Sequence, residues 1–104
     1  MIRQYDICRN KNAASKKHVP FLIVLQADLL RDFGTVIVAP LRTETTATKI
    51  SRLNPSVIVL DKSYRVSMAE LASILRSHLG EVVKNVQDQH REFVAAIDLI
   101  FTGI

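Results

Sequence analysis

Three histidines and one cysteine are the side chains here whose chemistry reaches beyond packing and charge. His18, His78 and His90 are scattered, with no pair at metal-ligand spacing, and Cys8 has no second thiol to join it. A lone thiol in an apolar setting reads as a small buried hydrophobe rather than a nucleophile. Each histidine reads as a surface or capping residue. Gly34, Gly80 and Gly103 form no phosphate-cradling loop. These spacings predict no active site, no metal and no cofactor. The expectation is a protein that is not an enzyme and acts by binding.

Recognition chemistry is concentrated elsewhere. Residues Phe93 to Ile104 read F-V-A-A-I-D-L-I-F-T-G-I, with Phe93, Val94, Ile97, Ile100 and Phe101 at three- and four-residue steps. That spacing predicts one apolar helix side. The helix is expected to start near Asn85 to Gln87, where Asn85 or Asp88 suits the positive end of the dipole. The stretch runs out on Gly103-Ile104 without a polar extension, which points to docking or display toward a partner.

The elements that must position this tail follow from the rest of the chain. With 104 residues and 48% apolar composition, a single globular domain over 1–104 with one real core is expected. No signal-peptide layout opens it, and no apolar run nears the ~20 residues of a membrane span. A reducing cytoplasm fits. A strand covers Ile2 to Cys8 or Arg9, followed by a polar loop over Asn10 to Lys17. F-L-I-V-L-Q after Pro20 predicts a strand buried on both faces. Asp28 to Gly34 is a turn or wide loop in which Gly34 is free to take positive φ. Thr35 to Ala39 is a strand stopped by Pro40. Thr43, Thr45, Thr46 and Thr48 mark an exposed connection over Thr43 to Ser51. Val57 to Leu60 and Tyr64 to Met68 form a hairpin closed by Asp61-Lys62-Ser63. Short strands at this spacing predict a small barrel.

Charge narrows the partner without naming it. The net charge is +4, with Lys11, Lys16 and Lys17 in one loop and Arg42, Lys49 and Arg52 further on. No aromatic residues interleave with them, so base stacking is disfavoured and an acidic peptide fits better.

Ile97 to Ile104, I-D-L-I-F-T-G-I, resembles the C-terminus of the CcdB family of gyrase-poisoning toxins. Four more segments fall in the family's order: Tyr5 in a first strand, V-L-Q-A-D-L-L over Val24 to Leu30, V-I-V-A-P-L over Val36 to Leu41, and L-N-P-S-V-I-V-L-D over Leu53 to Asp61. The last leads into Tyr64 to Met68 and Leu71-Ala72-Ser73. The resemblance implies a mainly β fold with α, an SH3-like β-barrel with a small accessory sheet and a long C-terminal helix. It also decides one local conflict. Ser67 and Glu70 have the form of a helix capping box, with Leu71, Ile74, Leu75 and Leu79 at helical spacing and Gly80 as a C-cap. The family has extended chain there, so a strand from about Ile74 to Leu79 is expected.

The same resemblance implies the toxin of a type II toxin–antitoxin pair. Such a toxin is a homodimer that binds the DNA gyrase A subunit, traps the cleaved DNA complex and is neutralised by a CcdA-like antitoxin. DNA is met only through the toxin–antitoxin complex. The family's gyrase-facing positions fall on Leu29, Leu30, Asp98, Phe101, Thr102, Gly103 and Ile104. Asp98 stands where the best-known pattern has asparagine, and Thr102 where it has tryptophan. The missing indole takes with it a cation–π contact of about 0.5–2 kcal/mol. Leu29, Leu30, Phe101 and Ile104 must then carry more of the contact. On a strand, one of Leu29 and Leu30 would be core and the other exposed; from a bulge or loop both can project. Two alternatives are an mRNA-cleaving toxin of the MazF/Kid type on the same barrel, with Arg65 or Asp61 involved, and a non-toxic module that keeps only the antitoxin.

Overall fold

The computed structural model describes residues 1–44 and 49–103. Thr45, Thr46, Thr48 and Ile104, singled out above, lie outside the described residues. Among those described, seven strands and one α-helix form a curled sheet with the helix packed on it.

β3 (Thr35–Arg42) organises the sheet. One edge pairs with β2 (Phe21–Val24) through Val38, Ala39 and Pro40. Its other edge pairs first with β6 (Ala72–Leu75) and then, at Leu41 and Arg42, with β5 (Lys62–Val66). β1 (Asp6–Asn10) lies outside β2 and is itself flanked by β7 (Leu79–Asn85). β4 (Ser56–Val59) extends the sheet beyond β5. Lys84 Nζ of β7 donates to the Ile58 carbonyl of β4 at 2.8 Å, so strands at opposite ends of the order meet through a side chain. This is the SH3-like barrel expected, with β4 and β5 as the smaller sheet and α1 (His90–Thr102) beside it.

The F-L-I-V run behaves as its unbroken apolar character predicts. Phe21 and Ile23 enter the main core with Tyr5, Leu41, Val57, Val66, Met68 and Phe93, while Leu22 and Val24 enter a second cluster with Cys8, Val36, Val38 and Leu79. Phe93 stacks on Tyr5 with ring centroids 5.3 Å apart, and Phe21 meets Tyr64 edge-on at 5.7 Å. Full burial of one such side chain stabilises by about 1.5–3 kcal/mol.

Several local expectations are corrected by tertiary contacts. β1 begins at Asp6 rather than Ile2, because Tyr5 is left-handed (φ 67°) and interrupts the alternation. Its N–H donates to the Val24 carbonyl and its carbonyl accepts from Val86, which fixes that kink. Pro40 does not stop β3. The strand is changing partner there, and Pro40 serves as an acceptor, its carbonyl receiving the Ser67 N–H at 3.0 Å. The hairpin turn is Leu60-Asp61, both at positive φ, so the connection is shorter and earlier than Asp61 to Ser63.

The expected strand over Ile74 to Leu79 is two strands, β6 and β7, separated by a 3-10 turn at Arg76–His78. The capping-box residues close only a single 3-10 turn, Met68–Glu70, where Ser67 Oγ donates to Glu70. Arg42 grips the same carboxylate at 2.6 and 2.7 Å, Met68 is drawn into the core, and Ala72–Leu75 completes the edge of β3. These contacts outweigh helical propensity. Gly80 lies inside β7, where a Cβ would meet the Arg9 carbonyl at 3.0 Å. The positive-φ glycine among the described residues is Gly103, not Gly34. The helix begins at His90, after a 3-10 turn over Gln87–Gln89 whose first N–H is accepted by Asn85 Oδ1.

Candidate functional site

The apolar stripe of α1 divides along its length. Phe93 and Ala96 are fully buried, Ile97 and Ile100 are half-buried, and Phe101 is 69% exposed. Val94 also faces out. Phe101 and Ile97 border a shallow cavity of about 160 Å³ with Leu25, Gln26, Ile37 and Leu71. Gly103 ends the helix in the left-handed conformation, its N–H donating to the Leu99 carbonyl at 2.9 Å. Thr102 turns its hydroxyl back onto the Asp98 carbonyl, and the Asp98 side chain is on the exposed side. Gly103 and the Thr102 hydroxyl thus have structural employment whatever the surface does.

Leu29 and Leu30 occupy a 3-10 turn over Asp28–Leu30 and both project, at 87% and 37% exposure. Of the two arrangements open to them, the loop geometry holds. Phe33 is exposed on the same loop. The loop is pinned rather than loose. The Gln4 N–H donates to Asp28 Oδ1 at 2.7 Å, and Arg76 donates from Nε to the Phe33 carbonyl and from Nη2 to the Leu30 carbonyl.

Gln26 ties this loop to the tail cavity. Its Nε2 donates to the Leu30 carbonyl at 3.3 Å, its Oε1 accepts the Ile37 N–H at 3.3 Å, and it borders the cavity beside Phe101. The structure therefore joins, through Gln26, two segments that lie about seventy residues apart in sequence, whereas Ile104 cannot be placed among the described residues. Sequence reasoning missed Gln26, Phe33 and Arg76. An aromatic beside Gly34 was a faint signal for Phe33; nothing local marks Arg76, whose partners are more than forty residues away.

The other reactive types are accounted for by their surroundings. Cys8 is fully buried, and burial pushes its thiol up to about 11, with Asp6 adding to the effect. Such a thiol is a poor nucleophile at neutral pH. His90 Nδ1 is hydrogen-bonded to the Tyr5 hydroxyl at 2.6 Å, and burial raises the Tyr5 phenol. Arg65 donates to Glu44 Oε1 at 3.0 Å and to the Asn54 carbonyl at 3.2 Å. Among the described residues, no three of His, Cys, Asp and Glu gather into a metal-holding group, and no helix is long and apolar enough to cross a membrane.

Solved structures share this architecture at low identity. A structure described as an Mtb toxin superposes with a TM-score of 0.72 at 19% identity, covering 91% of this chain and 99% of that one. An endoribonuclease in complex with its cognate antitoxin, from a mycobacterial species, gives 0.75 at 10% identity, covering 94% and 92%. The Mycobacterium tuberculosis toxin MazF-mt6 gives 0.72 at 20% identity, covering 92% and 95%. These likenesses establish a common fold. The family model for CcdB protein matches residues 4–103, nearly the whole chain, and on that match the chain belongs to the CcdB family.

Proposed function

We propose that the protein is the toxin of a type II toxin–antitoxin pair, acting in the cytoplasm by binding the DNA gyrase A subunit and holding its cleaved DNA complex open. The observation that carries this reading is the apolar rim: Phe101, Leu29 and Leu30 face solvent on segments that Gln26 links. An exposed cluster of large apolar side chains on rigid backbone is the chemistry of a docking surface. No bond need be made or broken. A ligand that binds one conformational state of an enzyme more tightly than the others shifts the population to that state. A homodimer would present the rim twice to a target with its own twofold axis. Asp98, Thr102, Gly103 and Ile104 would flank the contact. A CcdA-like antitoxin would neutralise the toxin, and the pair would meet DNA through the antitoxin.

The test is a supercoiled plasmid incubated with gyrase, ATP and the purified protein, then treated with denaturant. Linear DNA is expected, and its absence across a wide concentration range would remove the reading. Growth arrest on expression, relieved by the antitoxin, separates it from a non-toxic module.

A second reading has one observation in its favour, the shared fold with endoribonuclease toxins. In it, Arg65 or Asp61 would serve mRNA cleavage. The Arg65 guanidinium is already engaged by Glu44 and the Asn54 carbonyl, which leaves it poorly placed for a scissile phosphate. RNA cleavage lost on Arg65→Ala would restore this reading.

A further inference from the structure

A second cavity, of about 390 Å³, opens between α1 and the start of β4. Glu92, Ala95 and Leu99 line it from the helix, and Arg52, Pro55 and Ser56 from the chain leading into β4. Its volume falls in the range of about 300–1,000 Å³ in which proteins hold small molecules. Ile97, which borders the tail cavity, stands about 200° around the helix axis from both Ala95 and Leu99, so the two cavities use different faces of α1. We propose that this second cavity is a binding site for a small zwitterion, a free α-amino acid with an apolar side chain.

The cavity is held open by its own hydrogen bonds. Gln89 Nε2 donates to the Ser56 carbonyl at 2.8 Å and to Glu92 Oε1 at 3.4 Å, which ties the start of the helix to β4. On the other side, the Ile50 carbonyl accepts the N–H groups of both Leu53 and Asn54, closing the turn that carries Arg52. Asn54 is buried, and its Oδ1 accepts the Met68 N–H at 3.1 Å. Arg52 and Glu92 are thus exposed side chains on a fixed backbone, so less ordering accompanies binding.

The charges left over select the ligand. Arg65 also borders the cavity, but its Nε and Nη2 are both 3.0 Å from Glu44 Oε1 and its Nη1 donates to the Asn54 carbonyl. That guanidinium is already neutralised. Arg52 and Glu92 make no ion pair among the described residues, with each other or with any other group. The cavity therefore offers one free guanidinium fork, suited to a carboxylate, and one free carboxylate, suited to an ammonium. A ligand with a single charge would satisfy one of them and meet repulsion at the other. A zwitterion satisfies both. Pro55, Ala95 and Leu99 supply apolar contact for its side chain.

The test titrates the isotope-labelled full chain with L-phenylalanine and follows amide shifts by NMR. Two singly charged analogues, 3-phenylpropionate and 2-phenylethylamine, serve as comparisons. Saturable shifts at Ser56 and Ala95 are expected with L-phenylalanine, and about tenfold weaker binding of either analogue. Arg52→Gln should weaken the amino acid about tenfold. Glu92→Gln should weaken it too, while tightening 3-phenylpropionate by removing the like charge. Ala95→Trp, which fills the cavity from the exposed side of the helix, should abolish binding. The dispersion of each variant's spectrum confirms that it folds. No saturable shift up to about 10 mM, analogues that bind as tightly as the amino acid, or an affinity unmoved by either charge substitution would each overturn the proposal. Gyrase is absent from the assay, so its outcome is independent of plasmid cleavage.

Discussion

Phe93 and Phe101 are the same side chain on the same helix, about two turns and 12 Å apart, yet one is fully buried and the other 69% exposed. The first half of α1 lies across the barrel, with Phe93 stacked on Tyr5 and Ala96 beneath it. The second half runs past the edge of the core, and its last aromatic meets solvent beside Gln26. One amphipathic stripe thus does two jobs, holding the helix at one end and presenting apolar surface at the other. An exposed aromatic adds little to folding, so its presence is better explained by a partner than by packing.

The strongest challenge to this contrast is Phe93→Ala. It should lower unfolding free energy by about 3–5 kcal/mol in urea denaturation, since the aromatic cavity has rigid strands around it. A loss below 1 kcal/mol would mean the buried half is not the anchor. Next is Gly103→Ala at the helix end, where the left-handed backbone (φ 75°) makes a side chain costly by about 1 kcal/mol. Thermal unfolding would read it, and no change in Tm would show that the cap is dispensable.

Glu70→Gln probes ordinary surface electrostatics as a control. The hydrogen bonds from Arg42 hold the Glu70 carboxyl below its usual range and raise the Arg42 guanidinium. A depressed carboxyl stabilises the fold above its unfolded-state value and loses that contribution as pH falls through the folded one. Both side chains are more than a third exposed or nearly so, so the cost at pH 7 is about 0.2–1 kcal/mol. The gap in Tm between parent and variant should close as pH falls below the usual carboxylate range. A gap that persists would show that the pair acts through packing.

Smallest in stability is Phe101→Ala, within about 0.5 kcal/mol of the parent. Its plasmid linearisation should nonetheless fall about ten- to a hundredfold, as expected when one buried anchor of about 1.5–3 kcal/mol is removed from an interface. Full retention of linearisation would separate the exposed half from function. Arg76→Ala, which releases the Phe33 and Leu30 carbonyls, should give a weaker loss of the same kind.

Much of this was legible in residue types. Branched, apolar Phe21 to Val24 could only be a strand covered on both faces, and the Phe93 stripe could only be a helix with one side against a core. A turn or wide loop over Asp28 to Gly34 was also legible, and its first residues, Asp28 to Leu30, form a 3-10 turn. Met68 to Leu79 misled because its local preference is helical, while the open edge of β3 needed a strand and Arg42 needed the Glu70 carboxylate. Tyr5 misled for a related reason. Its left-handed backbone is held by hydrogen bonds to Val24 and Val86, residues that no window around it contains.

Composition and spacing by themselves determined a single domain of short strands, the doubly covered strand after Pro20 and an apolar helical tail, because each depends on neighbours within a few residues. Only the tertiary structure decided which part of the tail stays in water, since that depends on where the core ends beneath the helix. It alone also brought Arg76 to the Leu29–Leu30 loop and Gln26 beside Phe101, because such meetings depend on the order in which strands pair.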